Sequence, residues 1–391
     1  VIKSYTYCLS PTKKQAATLQ WTLDRCREVY NAALQERRDA YRMCHKTITY
    51  YDQATQLPEM KEIRDEYKGI HSQVLQETLR RVDKAMQAFF RRVKQGDTPG
   101  YPRFQGKERY ESFTYPQVGF TLTHDNRVCL SKIGSVKIKM HREMQGTIKT
   151  CTIKREGTHW YVVFACKVDA QALPVSHEDV GIDLGLVHFA TLSDGRTIAN
   201  PRFFRKTEKR LGHHQQALSR KKRGSHRRKK AVQSVAKAHR KGRNQRADFL
   251  HKQSRMVVNQ YGLIVFEDLQ PSHMSRRAKP KQDETTGHYL PNGAAAKSGL
   301  NKSIQDAGWS MFVSMCIYKA EEAGRAVLQV NPRYTSQVCS GCGTVRKKTL
   351  EERWHSCECG TELDRDHNAA INILRLGRSQ QPAMAVEAPC L

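Results

Sequence analysis

The sequence predicts a multidomain α+β protein. Three observations point there. A length of 391 residues exceeds the roughly 100–200 of one typical domain. Strand-type alternation and helix-type periodicity fall in separate blocks. A group of four cysteines stands apart from both. Hydrophobic residues at 38% and charged residues at 27% fit a globular chain rather than a disordered one.

The blocks run in order. "YTYCLSP" alternates Tyr5, Tyr7 and Leu9 as a short strand, and Ser10-Pro11 offers an N-cap and a proline suited to a first helical turn. Leu19, Leu23, Cys26, Tyr30 and Ala33 then recur at helical spacing. A second long helix carries Val74, Leu75, Leu79, Val82, Met86, Phe89 and Val93, a stripe expected to pack on the first helix; "GDTPGYPRF" ends it. Residues 11–96 thus form a helical insert between strands. From Phe113 to Val168 the pattern is strands, with a hairpin turning at Glu156-Gly157, and "DAQALPVSHED" reads as a linker. "VGIDLGLVHFATLSDG" (Val180 to Gly195) predicts a second hairpin, with Asp183 in its first strand and a turn at Ser193-Asp194-Gly195. Arg205 to Gln260 reads as long helices and "YGLIVFEDL" as an apolar strand ending in acids. The polar, Pro/Gly-rich stretch from Pro271 to Gly299 is expected to be mobile. A helix from about Ser303 to Ala323 and the strand "RAVLQV" follow.

A net charge of +29 calls for a polyanionic partner, nucleic acid first. The densest run is "RKKRGSHRRKK", and no acid occurs between Arg220 and Ala247. Arg220, Lys221, Lys222, Arg223, Arg227, Arg228, Arg243 and Arg246 are the candidate phosphate contacts; such contacts position a strand without specifying bases. A membrane is disfavoured. No apolar run approaches the roughly 18–20 residues that span a bilayer, and no helix sets a Trp/Phe/Leu face against Lys/Arg. No basic start leads into an apolar stretch, so no signal peptide is expected.

Cys339-x2-Cys342 and Cys357-x-Cys359, each pair followed by glycine, supply four thiolates around a short basic loop. Without a secretion signal, such clustering favours zinc over disulfides. The second pair is one residue shorter than usual, which leaves His355 as an alternative for one ligand. Four protein ligands close a site, so its role is structural: it folds a segment too small for its own core. Cys8, Cys26, Cys44, Cys129, Cys151, Cys166, Cys316 and Cys390 are scattered and read as buried or idle thiols.

Three acidic positions remain: Asp183 inside an apolar strand, Glu267 at the end of another, and Asp364 or Asp366 at a helix start. A charge in an apolar strand is costly unless paired or metal-bound. Two Mg²⁺ ions about 3.5–4 Å apart would neutralise three converging carboxylates and clamp an in-line attack on a phosphodiester. Acids in the order Asp, Glu, Asp on strand, strand and helix match an RNase H-like pattern.

"GIDLGLVHFATLSDG", "IVFEDL", "SIQDAGWSMF", "NPRYTSQVCSGCG" and "DRDHNAAINI", with "GYPRF" and "RADFLHK", closely resemble TnpB over nearly the whole chain. TnpB proteins are RNA-guided nucleases of insertion sequences and relatives of type V CRISPR effectors. The resemblance implies a wedge-type β-barrel (1–10 and 97–172) with a helical recognition insert (11–96). An RNase H-like RuvC nuclease domain (173–333 and 364–376) follows, with a lid at about 270–302, a zinc finger at 334–363 and a tail at 377–391. It implies Asp183, Glu267 and Asp366 as Mg²⁺-binding catalytic acids, with Asp364 as the fallback, and Cys339, Cys342, Cys357 and Cys359 as Zn²⁺ ligands. Tyr50, Gln73, Gln76 and Thr114 fall where such proteins read the motif beside the target. From residue type alone Gln73 and Gln76 are ordinary helix surface. The implied partners are a guide RNA from the transposon end and double-stranded target DNA, met by a cytoplasmic, nucleoid-associated protein that is monomeric in its complex. Rival readings are a nuclease-inactive RNA-guided repressor, a strand-transfer transposase and a plain zinc-dependent DNA-binding protein.

Overall fold

A computed structural model describes residues 1–349 and 351–380. The chain divides into two compact units, Val1–Asp169 and Ala170–Leu391. Among the described residues no helix is long and apolar enough to cross a membrane.

The first unit begins with β1 (Ile2–Ser10), followed by α1 (Lys13–Cys44), α2 (Tyr50–Thr55), α3 (Leu57–Ile63) and α4 (Ser72–Lys94). Then come β2 (Ser112–Tyr115), β3 (Phe120–Thr123), β4 (Arg127–Leu130), β5 (Gly134–Lys139), β6 (Thr147–Glu156) and β7 (His159–Lys167). The strands form one antiparallel sheet in the order β2-β6-β7-β1-β5-β4-β3. The N-terminal strand is therefore at its centre. Tyr5, Tyr7 and Leu9 alternate inward, as period-2 patterning requires. The hairpin at Glu156-Gly157 joins β6 to β7 as expected. The helix cap differs from expectation. Ser10 ends β1, and Thr12 caps α1 in a reciprocal box with Gln15, at 3.2 and 3.0 Å. The first half of the α4 stripe does pack on α1: Leu19, Leu23, Leu75 and Leu79 are all buried, each contributing about 1.5–3 kcal/mol. Its last turns do not. Phe90 and Val93 are 55% and 49% exposed.

The second unit opens with a meander, β8 (Asp179–Leu184), β9 (His188–Leu192) and β10 (Thr197–Ala199). The hairpin turn falls at 185–187, and Ser193-Asp194-Gly195 turns β9 into β10 instead. The basic helices are α5 (Phe203–Ser219) and α6 (His226–Gln260). β11 (Leu263–Glu267) precedes α7 (Pro271–Met274), the two-stranded β12 (Lys281–Gln282) and β13 (Tyr289–Leu290), α8 (Ala294–Ala307), α9 (Trp309–Ala323) and β14 (Ala326–Val330). The stretch from Pro271 to Gly299 contains a small hairpin and the start of a helix. The single helix expected from Ser303 is two, broken at Gly308, whose φ of +74° leaves the helical region. β15 (Trp354–Ser356), β16 (Glu362–Asp364) and α10 (Arg365–Gln380) complete the unit. Residues 377–380 of the expected tail continue α10; 381–391 lie outside the described residues.

The sheet order is β10-β9-β8-β11-β14, with β8, β11 and β14 parallel and the other pairs antiparallel. Val180, Ile182, Ile264 and Phe266 pack on α6 and α9 through Leu250, Val257, Phe312 and Cys316. The opposite face, with Leu263 and Val265, takes α10 through Ile373. Two glycines set how close α10 comes. A Cβ on Gly181 of β8 would stand 2.1 Å from the Ala370 carbonyl oxygen, and one on Gly377 would stand 2.3 Å from Val265 Cγ2.

Gly181→Val is therefore expected to destabilise the protein by at least about 3 kcal/mol. Gly212→Ala, mid-helix in α5 with nothing within 4 Å of the new Cβ, should gain about 0.5–1 kcal/mol. Urea-unfolding midpoints of the two variants check both signs.

Candidate active site

In the β8–β11 register Phe266 stands opposite Ile182. One step on, Asp183 and Glu267 are neighbours at adjoining strand ends. Alternation puts both on the face of Gly181, Leu263 and Val265, the one covered by α10. Ala370 lies over Gly181, so Asp366, one helical turn earlier, reaches the same strand ends. Its Oδ2 is 3.9 Å from the place of a Cβ on Gly185. Asp364 plays a different part, capping α10: its Oδ1 accepts from the backbone N–H groups of Asp366 (2.9 Å) and His367 (3.3 Å).

All three acids are raised above the usual carboxylate range, with burial the leading cause. Burial, then the charges of Glu267 and Asp366, holds Asp183 well above the usual carboxylate range, against Arg365. Burial also raises Glu267; a hydrogen bond from Thr335 favours its charge, and Asp366 works against it. Asp366 is raised by burial and by Asp364, with Arg353, Arg365 and His188 opposing.

Neighbouring side chains fix this arrangement. The buried Thr335 donates to Glu267 Oε1 at 2.5 Å. Asn368 accepts from Ser340 N (2.9 Å) and donates to Val338 O (2.7 Å). Asn372, one turn on, donates to the carbonyls of Thr335 (2.9 Å) and Val338 (2.7 Å), and Arg375 to Ser340 O (2.6 Å). One face of α10 thus grips the start of the cysteine segment. Sequence reasoning missed Thr335, Asn368 and Asn372. The available signal was two asparagines four residues apart within an apolar helix, where a polar side chain needs a partner.

Cys339, Cys342, Cys357 and Cys359 converge, with all four sulfurs within 4.8 Å of one another. Cys339 to Cys359 and Cys342 to Cys357 are 3.6 Å apart, close to the roughly 3.8 Å edge of a Zn–S tetrahedron. Among the described residues this is the only group of three or more such donors drawn that tightly. Burial works against ionising Cys339, but hydrogen bonds from the Cys342 backbone, His355 and the Gly341 backbone win and bring it down to about 5. A backbone hydrogen bond from Cys359 lowers Cys357, yet its contacts with the Cys342 and Cys359 sulfurs hold it up at about 11. The short Cys-x-Cys spacing closes the group without His355. That ring is buried beside Cys339, with Nδ1 on Lys348 Nζ. Of the scattered cysteines, Cys26, Cys151, Cys166 and Cys316 are buried, Cys8 and Cys129 half-buried and Cys44 exposed; Cys390 lies outside the described residues.

The candidate nucleic-acid contacts separate. Arg220, Lys221, Lys222, Arg223, Arg227 and Arg243 are exposed around the α5–α6 turn and along α6. Arg228 is used internally, its Nη1 donating to the carbonyls of Leu218 and Lys221 at 3.1 Å. Arg246 is likewise held by the buried Asp306, at 2.7 Å to carbonyl and carboxylate. In the first unit, Tyr50 lies under the Arg80 guanidinium (5.3 Å). Gln73 accepts from Val118 N (3.2 Å), Thr114 contacts Arg81 (3.0 Å) and Thr152 (2.8 Å), and Gln76 is half-buried on α4.

Two acids at adjoining strand ends with a third on the helix above them, four converged sulfurs and a charge of +29 fit a protein that acts on nucleic acid. Residues 163–278 match a family model described as "Probable transposase" (OrfB_IS605), 309–373 one described as "Cas12f1-like, TNB domain", and 1–46 one described as "Helix-turn-helix domain". The chain is 32% identical over 385 residues to "Putative RNA-guided DNA endonuclease InsQ" of Escherichia coli K12, covering 97% of this chain and 93% of that one. It is also 32% identical to "Putative RNA-guided DNA endonuclease" of Streptomyces pristinaespiralis, covering 96% and 90%. Among solved structures, CasPhi-2 (Cas12j) bound to crRNA aligns with a TM-score of 0.49 at 11% identity, covering 96% of this chain and 98% of that one. The chain belongs to the TnpB family of IS605-type elements. Despite the third model's description, residues 1–46 fold as β1 and one long helix.

Two outcomes are expected. The purified chain carries about one zinc, and Cys339→Ser loses it and unfolds the 334–363 segment, read by elemental analysis and limited proteolysis. Without added Mg²⁺, Asp183→Asn raises the melting temperature by about 2–10 °C, since it removes a costly buried charge of roughly 1–3 kcal/mol. The sign follows from linkage. A raised folded-state pKa gives stability present below the unfolded value, near 4, and lost as pH rises through the folded one. Melting temperature without added Mg²⁺ therefore falls from pH 4 upward in the wild type, and less so in Asp183→Asn.

Proposed function

We propose that this chain is an RNA-guided DNA endonuclease, cutting double-stranded DNA beside a short motif at the single site of Asp183, Glu267 and Asp366. The observation that carries the reading is the strand register, which sets Asp183 next to Glu267 under the α10 turn that bears Asp366. Relatives with the RNA-guided endonuclease name match over nearly the whole length.

The acids fit Mg²⁺. They are hard oxygen donors, each held above its ordinary pKa first by burial, with Glu267 and Asp366 adding at Asp183 and Asp366 adding at Glu267, so a divalent cation relieves what they cannot relieve themselves. They are spread more widely than the four sulfurs, which suits a site shared by two ions rather than one. Bound there, Mg²⁺ supplies charge neutralisation and polarisation for in-line attack on the phosphodiester. The chain's residues do the rest. Thr335 orients Glu267, Asp364 fixes the helix start that presents Asp366, and Arg353 and Arg365 bring positive charge beside it. The exposed cations from Arg220 to Arg227 neutralise strand phosphates. Residues 1–10 and 97–172 serve as wedge and 11–96 as recognition insert. Residues 173–333 and 364–376 serve as RuvC-type nuclease and 334–363 as zinc finger. Protein reads the short motif and backbone shape, while guide pairing reads sequence.

With Mg²⁺, copurified RNA and matching duplex, Asp183→Ala, Glu267→Ala or Asp366→Ala is expected to lower the cleavage rate by roughly 10³-fold or more. Asp364→Asn, which keeps a capping oxygen, stays within about tenfold. Specific binding without any cutting by the wild type would replace this reading with that of an RNA-guided repressor.

A further inference from the structure

The first unit contains a cavity of about 830 Å³ between the end of α1, the loop at 45–49 and the last turns of α4. Much of its wall is apolar: Tyr41, Met86, Phe89, Phe90 and Tyr101 line it. Phe89 meets Tyr101 at 5.4 Å and Phe90 at 5.2 Å, both edge-on. Tyr41 is 61% exposed and Phe90 55%. Large aromatics left open to water around a hollow mark a binding surface.

Charge narrows the occupant. Arg37, Arg38, Arg42 and His45 border the cavity, and its one acid, Asp83, is already paired with Arg37 at 3.0 Å. The Arg37 side chain is only 6% exposed. Its Nε donates to Gln53 (2.9 Å) and its Nη1 to Asp83, so it is spent within the wall. Arg38 is held by Gln35 and Asp39, which leaves the exposed Arg42 as the cation at the rim. A purely apolar ligand would offer that cation nothing. A nucleotide supplies both things the walls ask for: a flat ring for the aromatics and an anionic phosphate for the arginine. A base inside a duplex is stacked and paired, so only an unpaired nucleotide can enter. RNA presents such nucleotides in loops and bulges, where aromatic and arginine planes receive them.

We propose that this cavity holds an unpaired nucleobase of the bound RNA, stacked among Phe89 and Tyr101, with Arg42 at its phosphate. The proposal rests on the RNA-guided reading above. It adds a stacking contact to the phosphate contacts proposed for the exposed cations from Arg220 to Arg227.

The test uses the full chain with the RNA that copurifies from cells. Phe89→Ala/Tyr101→Ala, at two incompletely buried positions, and Arg42→Gln, at an exposed one, are compared with wild type. The double variant is expected to lose roughly 5- to 100-fold in RNA affinity, and Arg42→Gln a smaller factor. Chemical probing should show one unpaired nucleotide protected in the wild-type complex and reactive in the double variant, with melting temperature and zinc content unchanged. If the double variant misfolds, Arg42→Gln with the same probing decides. Unchanged affinity and protection in the variants overturns the proposal while leaving the RNA-guided reading intact. So does a photo-crosslinker at residue 101 that labels target DNA instead of RNA. A wild-type chain that carries no RNA overturns both.

Discussion

The Ala370 carbonyl and the Val265 methyls occupy the space where side chains at positions 181 and 377 would stand. That contact sets the height and the phase of α10 over the sheet. The phase matters most: a helix repeats every 3.6 residues, so Asp366, Ala370 and Gly377 share one face. Once Ala370 rests on Gly181, Asp366 has only the ends of β8 and β11 beneath it. The strands contribute their part through register alone. A slip of one residue between β8 and β11 would send Glu267 or Asp183 to the opposite face, into the cluster around Phe266 and Phe312.

The cysteine segment sits beside the acids because α10 serves both. Asn368 and Asn372 hold the backbone from Thr335 to Ser340, and Thr335 in turn orients Glu267. A segment with few apolar residues supplies little hydrophobic stabilisation to keep that backbone in place. Four sulfurs drawn around one point can supply it instead. The cluster and the acids are therefore coupled through a helix with polar anchors on one side and a carboxylate at its head, without sharing a ligand.

Much of this was legible in the sequence, and the failures have physical causes. The strands around Asp183 and Glu267 could be read because apolar alternation and apolar runs are local signals. The acids stood out because a charge inside such a run needs a reason. Thr335 gave no local sign; its bond to Glu267 closes over 68 residues. Arg246 read as a phosphate contact because it ends an acid-free stretch, yet its partner Asp306 lies 60 residues on. Charge density identifies a cation and says nothing of what has already claimed it. Gly308 was passed over inside a helical pattern because helices tolerate a lone glycine; only its φ shows the break. The end of α4 was read as core because Phe89 and Val93 keep the helical period, yet Phe89 lines an open cavity and Val93 is 49% exposed.

A protein with a net charge of +29 should, on average, favour ionised carboxylates. Asp183, Glu267 and Asp366 are displaced the other way, and burial is the leading cause for each. The long-range field therefore loses at this point. Screening explains why: exposed charges fade over about 8 Å in physiological salt, whereas neighbouring acids at buried strand ends act with little water between them. Arg353, Arg365 and His188 are close enough to act on Asp366 but do not reverse its shift. The result is a small site that attracts cations within a surface that attracts polyanions. On the proposed reading, a strand drawn in by the basic face would bring its phosphates to acids that repel them, and a divalent cation between the two would relieve that conflict. The need for metal in that proposal comes from the charge arrangement itself, because without the ion the same three acids would oppose the strand they are proposed to cut.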